Sequence, residues 1–391
     1  MNDFDTILSS LLLGKKLNQP FNSPISSGYR KELNVKLDEY VRRIKGLKSR
    51  GVTSNFLKNN LKEIIDINKK ILRAIDYYLD GNAGKAYDEI ENLMNLTIVQ
   101  KALDFMTSDL ETYQSNFHDD DCNDHVDKHF SFKKSLYRVR QSECQLSKRQ
   151  DIFHIPFGQR HLVKTQRYSI AGLPCLYLGS SLYVCWQEMG RPNLDNLYLS
   201  RYRVSSSRKI NVLNFAYSLE TLKDKINMPS MLFDEGMTEN EEQALFVMWP
   251  ILAACSFNVQ FPDSSFCIEY IFPNLLLQWI SKETKISGVM YLSTKTTQIR
   301  DKGLEVNFVF PPTQNSIKND FCEDLRNTFK WSRPISWQIL NTLEDVPSED
   351  VYSYVSKIDN VEKQITINYA TTTFYKMEYK LHMYAKISNQ V

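Results

Sequence analysis

The chain has 391 residues, with 48 Lys plus Arg against 46 Asp plus Glu and a hydrophobic share of 42%. That length allows two domains or one large one. A formal net charge of +2 removes any global electrostatic case for nucleic acid or an anionic membrane, and no run approaches the ~18 apolar residues of a membrane span.

Residues 1 to about 28 mix an apolar patch, Ile7–Leu13, with the loop chemistry of Asn18–Gly28. The acidic start lacks a basic region and a small-residue cleavage site, so no secretory signal is expected. From Lys31 the pattern turns helical, with Leu33, Val35, Leu37, Tyr40, Val41 and Ile44 at helical spacing and a stop near Gly51. Ser54 is the expected N-cap of a second helix carrying Leu57, Leu61, Ile64, Ile65, Ile71 and Ile75, ended by Gly81. A third is expected from Ala83 to Leu110. This all-helical region reads as an interaction or regulatory module, or as a scaffold that buttresses the second domain. Its lysine-rich stretch Lys58–Lys70 also carries Glu63 and Asp66, the mixture of a solvated face and not of a nucleic-acid patch.

The sharpest shift in composition is Phe117–Phe130, acidic and without apolar period. It divides the chain into a helical region, 1–130, and a second domain, 131–391. His118, Cys122, His125 and His129 lie inside it. Zinc sites usually draw paired ligands from two separated knuckles, so this single run reads as a solvated linker, and no metal is expected. The seven cysteines are scattered without a CxxC pair and read as reduced core thiols of a cytoplasmic protein.

Past the linker, Ser135–Arg140 alternates as a half-buried strand does, with Arg138 and Arg140 on one face. A loop with His154 and His161 follows, and His154 is a minor candidate for chemistry. Cys175–Leu178 reads as a strand, and Leu182–Met189 as a helix capped by Ser180 or Ser181. Leu197–Val204 and Lys209–Leu213 are expected strands. Glu239–Ala254 is an expected helix running into the apolar Trp249–Val259, and a further helix is expected from about Pro273. Ile286–Thr294, Glu305–Pro312, Ser336–Leu340 and Gln364–Tyr375 are further expected strands. Many strands with interspersed helices and no clean βαβ alternation indicate α+β. P-loop, dinucleotide-fingerprint, nucleophile-elbow and zincin motifs are all absent.

One constellation reads as chemistry. Arg167 is followed by the turn Gly172-Leu173-Pro174, the strand Leu176-Tyr177, the small residues Ser180-Ser181 and a helix bearing Glu188. With Tyr137-Arg138 upstream, this series resembles the RES domain family, which includes the toxins of Res–Xre toxin–antitoxin pairs. The resemblance covers about Ser135 to Thr294. It implies an ADP-ribosyltransferase-like mixed α/β fold and destruction of NAD+ with loss of nicotinamide. The family carries a serine before an apolar-Pro element downstream. Here that element is Tyr270-Ile271-Phe272-Pro273, preceded by Glu269, with Ser264 and Ser265 nearby, so Glu269 or a neighbouring serine completes the set.

Cleaving the nicotinamide–ribose bond passes through an oxocarbenium-like cation and a leaving group that needs no acid. The site must supply a carboxylate, the expected role of Glu188. Arg167 and Arg138 are the expected pyrophosphate donors. Tyr177 can pack on a ring or bond to ribose or phosphate, and the helix opening at Ser180 can offer backbone N–H groups to an anion. The resemblance implies NAD+ as substrate, and an antitoxin or self-inhibition by the N-terminal helices to restrain a toxin. A homodimer is compatible with it, and neither a membrane nor a nucleic-acid partner is expected. Transfer of ADP-ribose to a macromolecule and non-catalytic nucleotide binding remain the alternatives.

Overall fold

The computed structural model describes residues 2–24, 28–111, 135–205, 209–223, 237–295, 304–313, 317–318, 320–343, 369 and 372–388. The linker residues His118, Cys122, His125 and His129 lie outside them, as do 364–368 and 370–371 of the last expected strand.

Six helices open the chain: α1 (Asp3–Leu12), α2 (Gly28–Lys45), α3 (Val52–Asn59), α4 (Leu61–Leu79), α5 (Ala83–Met94) and α6 (Thr97–Met106). The helical character expected of this region is present, but its divisions differ. Residues Asp3–Leu12 form a helix capped by the Asn2 side chain. The second expected helix breaks at Asn60 and the third at Asn95-Leu96. The cap of α3 is Gly51, while the Ser54 hydroxyl and N–H instead bond to Asp3. Val35, at helical spacing with its apolar neighbours, is nonetheless exposed, as is Phe105 of α6.

The rest of the fold is built on β1 (Thr107–Asp109), β2 (Leu136–Gln141), β3 (Leu176–Gly179), α7 (Leu182–Glu188), β4 (Leu197–Val204), β5 (Asn211–Phe215), α8 (Leu219–Lys223), α9 (Glu239–Cys255), α10 (Ile271–Ile280), β6 (Gly288–Leu292) and β7 (Val306–Phe310). It closes with β8 (Ile317–Lys318), β9 (Phe321–Cys322), α11 (Glu323–Thr328), β10 (Phe329–Ser332), β11 (Ile335–Ser336), α12 (Trp337–Thr342), α13 (Thr373–Tyr384) and β12 (Ile387–Ser388). Ten of the described strands form one mixed sheet in the order β1-β5-β6-β7-β3-β2-β4-β10-β12, with β11 also on β4. Its β5–β6 pair is parallel. The α+β class is thus observed. Ser336–Leu340, expected as a strand, is a helix after its first residue, because the Ser336 hydroxyl caps Ile339. Thr373–Tyr375 likewise opens a helix, capped by Thr372.

The sheet separates two kinds of core. On one face Leu136, Leu176, Leu178, Met290, Phe308 and Phe310 pack with Phe153 and Trp331. On the other, Leu213, Phe215, Val289 and Val309 join a core that runs without interruption into α1–α6, α9 and α10. The helical region and the sheet therefore share one apolar interior, and β1, from the end of that region, pairs with β5.

The centre of the shared core is α9, buried from Ala244 to Cys255. Pro250 cannot donate to the carbonyl four residues back, so the Phe246 carbonyl is freed. The Tyr40 hydroxyl takes it at 2.7 Å, while the Tyr40 ring stacks on Trp249 at 4.2 Å. At the last turn the Ala254 carbonyl accepts from the Tyr29 hydroxyl at 2.8 Å. Phe21 then bridges to the segment beyond, its N–H donating to the Ser256 carbonyl and its carbonyl accepting from Asn258. The N-terminal helices hold the element against which Arg167 docks.

Candidate active site

The helix carrying Glu188 is short and fixed at both ends. Ser181 is its N-cap, its hydroxyl accepting from the Val184 N–H at 3.1 Å and donating to the Leu304 carbonyl at 2.6 Å. Glycine at 179 lets β3 lie directly on the helix, since a Cβ there would sit 2.6 Å from Cys185 Sγ. At the far end the Arg191 N–H bonds to the Trp186 carbonyl and the Gly190 N–H to the Gln187 carbonyl, with Gly190 at φ +82°. This pair of bonds around a left-handed glycine is a Schellman ending. It leaves Glu188 as the last helical residue.

A carboxylate at a helix C-terminus opposes the macrodipole, at a cost of about 0.3–1 kcal/mol. Glu188 is kept there by donors from three other places. Its Oε1 accepts from the Ser293 hydroxyl at 2.6 Å and from Asn307 Nδ2 at 2.7 Å. Ser293 directly follows β6, Asn307 lies in β7, and both are buried. Bonds to a charged acceptor contribute about 1.5–3 kcal/mol each, so this oxygen is firmly anchored. Oε2 lies 3.5 Å from Lys295 Nζ, and the same Nζ donates to the Glu188 carbonyl at 2.6 Å. That ammonium is about half exposed, and such a pair is worth ~0–1 kcal/mol. Among the described residues, the carboxylate therefore has one oxygen built into the fold and one facing an exchangeable partner.

Tyr270 and Tyr291 stand near this charge. Burial, with Glu188 adding to it, raises both phenols above their ordinary range, so both remain protonated. Neither is a base at neutral pH, and the carboxylates near Tyr270 are Glu188 and Glu269.

Arg167 is buried beside the same cluster and committed to the fold. Its Nη1 donates to the Cys255 carbonyl at 2.7 Å, and its Nη2 to the Phe257 carbonyl at 2.7 Å and Thr294 Oγ1 at 2.9 Å. The guanidinium also lies 5.4 Å from the Tyr270 ring centroid. It caps the open carbonyl end of α9, where a cation is favoured, and ties that end to the residue after Ser293. The Tyr177 hydroxyl donates to the Tyr168 carbonyl at 2.9 Å, and burial raises its pKa. The Ser180 hydroxyl accepts from the Val306 N–H at 3.0 Å, extending the β3–β7 ladder by one rung.

Arg138 stands elsewhere. Alternation along β2 puts it on the face of Leu136, whereas Tyr137 shares the face of α7. Strands β2 and β3 pair only at Tyr137–Gly179, then part, and Arg138 Nη1 donates to the Tyr177 carbonyl at 2.8 Å across the gap. Its Nε is buried and has no hydrogen-bond partner among the described residues. Burial holds its pKa below the ordinary arginine value. The structure thus brings Arg167 and Glu188 into one cluster but sets Arg138 across the sheet from them. Arg140, on the same face as Arg138, bonds to the Asp151 and Phe153 carbonyls.

Glu269 is almost fully buried in the turn before α10, where its Oε1 accepts from the Gln260 N–H at 3.2 Å. Ser264 and Ser265 are exposed, Ser264 bonding to the Phe266 carbonyl. The serine that meets Glu188 is Ser293. His154 is a structural acceptor: its Nε2 takes the Cys322 N–H at 2.9 Å, so its proton lies on Nδ1, facing the Ile155 carbonyl. Burial lowers its pKa to about 4. Cysteines 175, 255, 267 and 322 are buried as expected, but Cys144 is exposed and Cys185 half-buried. Among the described residues no cluster has metal-binding composition, and no helix is long and apolar enough to cross a membrane.

The opening of α7 is expected to offer N–H groups to an anion, and the protein supplies that anion itself. Glu378 of α13 accepts from the Leu182 N–H at 2.6 Å and from the Tyr369 hydroxyl at 2.7 Å, inside a knot of Tyr183, Trp186, Trp337 and Phe374. Sequence reasoning missed Glu378, Ser293, Asn307 and Lys295. For Ser293, Asn307 and Lys295 the available signal was polar residues in or beside two expected strands, Ile286–Thr294 and Glu305–Pro312, whereas Glu378 had none.

The chain is 30% identical over 316 residues to a Bacillus subtilis (strain 168) protein named "Putative toxin YopC", a match covering 79% of this chain. It spans 66% of that relative's length. No family model matches the chain, and no solved structure matches it.

Proposed function

We propose that this chain is a toxin of the RES type that cleaves the nicotinamide–ribose bond of NAD+. The observation that carries the reading is the divided carboxylate of Glu188, with Oε1 anchored by Ser293 and Asn307 and Oε2 turned to an exchangeable lysine. A relative named as a toxin supports the toxin part of the reading.

In this reading the bond between ribose C1′ and the pyridinium nitrogen breaks, and its electron pair leaves with nicotinamide, which becomes neutral. Positive charge develops on C1′ and the ring oxygen, where Glu188 Oε2 stabilises it. A preorganised carboxylate costs no rearrangement at that moment, and Ser293 and Asn307 provide the preorganisation. Oxygen from water or phosphate then bonds to C1′ and releases its proton to solvent. Arg167 is a positioning residue that locks the end of α9 to Thr294, beside Ser293. The N-terminal region supports that lock through Tyr29 of α2 and Phe21 in the connection between α1 and α2. Restraint comes from an antitoxin partner or from the N-terminal helices.

Expression of the wild-type chain in cells is expected to lower NAD+ and arrest growth, whereas Glu188→Ala does neither. Unchanged NAD+ with soluble wild-type protein present would sink the reading. ADP-ribosylated protein or nucleic acid, with slow turnover of free NAD+, would point to a transferase.

A further inference from the structure

We propose that Lys295 is the specificity-determining cation of this site, exchanging Glu188 for a phosphate of the substrate as the cationic end of that substrate arrives. The proposal rests on the NAD+ reading above and deepens it. Three observations carry it.

First, the cations expected to hold pyrophosphate are engaged elsewhere. Arg167 gives three bonds to the Cys255 and Phe257 carbonyls and Thr294. Arg138 is on the opposite face of the sheet, bonded to the Tyr177 carbonyl. Second, Lys295 is fixed at its base and exposed at its tip. Its backbone N–H donates to Ser293 Oγ at 3.1 Å, the same hydroxyl that donates to Glu188 Oε1. Its Nζ, with the side chain 47% exposed, lies 3.5 Å from Oε2 and donates to the Glu188 carbonyl at 2.6 Å, so both of its partners belong to Glu188. Lysine is a compact point charge on a flexible stem, suited to changing partners without moving the backbone. Third, the charges match the substrate class. A pyridinium riboside 5′-phosphate is cationic at the base and anionic a few bonds away. With the ligand absent, Lys295 neutralises Glu188. When the pyridinium riboside approaches Oε2, like charges repel the ammonium from its seat, and the 5′-phosphate oxygens offer it another. The site then favours ligands carrying both charges and disfavours a cation alone.

The test compares NAD+, nicotinamide mononucleotide and nicotinamide riboside on the full-length wild type, Lys295→Met and Lys295→Arg. Binding is measured by calorimetry and turnover by nicotinamide release. Lys295→Met keeps the stem length at an exposed position, and thermal melting checks the fold of each variant. Losing one ammonium–phosphate contact is expected to weaken NAD+ and the mononucleotide roughly tenfold or more. The riboside, which has no phosphate, is expected to bind unchanged or severalfold tighter. Lys295→Arg is expected to keep the wild-type order of preference. Equal changes for all three ligands, or none, would overturn the role of Lys295 while leaving NAD+ cleavage standing. Wild-type protein that neither binds nor cleaves any of them would overturn both.

Discussion

The two ends of α7 each hold a glutamate, and they are treated in opposite ways. At the N-terminus Glu378 sits where the helix dipole favours a negative charge, buried by Tyr183, Phe374 and Trp337, with the Leu182 N–H and the Tyr369 hydroxyl as donors. At the C-terminus Glu188 sits where the dipole disfavours one, half-buried, with one oxygen anchored and the other facing an exposed lysine. The first arrangement is what stability alone would select. The second carries a dipole cost that the bonds from Ser293 and Asn307 offset. A charge maintained against local electrostatics marks the end where function is to be sought.

Substitutions at the two ends should therefore separate activity from stability. The largest effect is expected from Glu188→Gln: nicotinamide release from NAD+ falls by roughly 10²–10³-fold. Its melting temperature falls only modestly, because the amide keeps an acceptor for Ser293 and Asn307 and removes the dipole cost, as differential scanning calorimetry can check. A large loss of stability would make Glu188 structural and erase the contrast. Glu378→Leu should do the reverse, leaving the Leu182 N–H and Tyr369 O–H buried without an acceptor and costing about 2–4 kcal/mol in denaturant titration. Glu378→Gln, which keeps an acceptor, should cost less than half of that.

Intermediate effects sharpen the anchored oxygen. Ser293→Ala and Asn307→Leu are each expected to lower kcat about tenfold with a smaller change in KM, since the carboxylate stays but loses its fixed direction. An effect confined to KM would mean that they touch substrate instead.

The smallest effect concerns acid and the closed end. His382 of α13 accepts from Arg203, and burial beside Arg201 and Arg203 lowers its pKa to about 3. Unfolding raises that pKa toward 6.5, so the unfolded chain binds more protons between the two values. The contribution is fully present above pH 6.5 and is lost progressively as pH falls toward 3. His154, lowered to about 4, acts in the same direction. His382→Gln should flatten the acid limb of a stability-versus-pH curve, and an unchanged limb would show that α13 docking does not depend on this histidine.

Local signals carried the helix of Glu188 and its serine cap, because capping, the Gly179 approach and the Gly190 ending all lie within a dozen residues. The same held for β4, whose bounds Leu197–Val204 match the expected strand. The partners of Glu188 were hidden because Ser293 and Asn307 are over 100 residues away and converge only through the β6–β7–β3 pairing. Alternation put Arg138 and Arg140 on one face but could not say which, since both faces of the sheet are covered. Arg167 stood out as a cation, but its commitment to the carbonyl end of α9 depends on a helix nearly 90 residues later. The breaks at Asn60 and Asn95-Leu96 escaped notice because the apolar period continues across both.

The most direct measurement is incubation of the purified full-length chain with NAD+, with and without phosphate, alongside Glu188→Gln, with the products identified. Wild-type protein should release free nicotinamide with ADP-ribose, or ADP-ribose 1″-phosphate when phosphate is the acceptor, and Glu188→Gln should release almost none. NAD+ left intact by folded wild-type protein, or equal release by both proteins, would contradict the role given to the open end of α7.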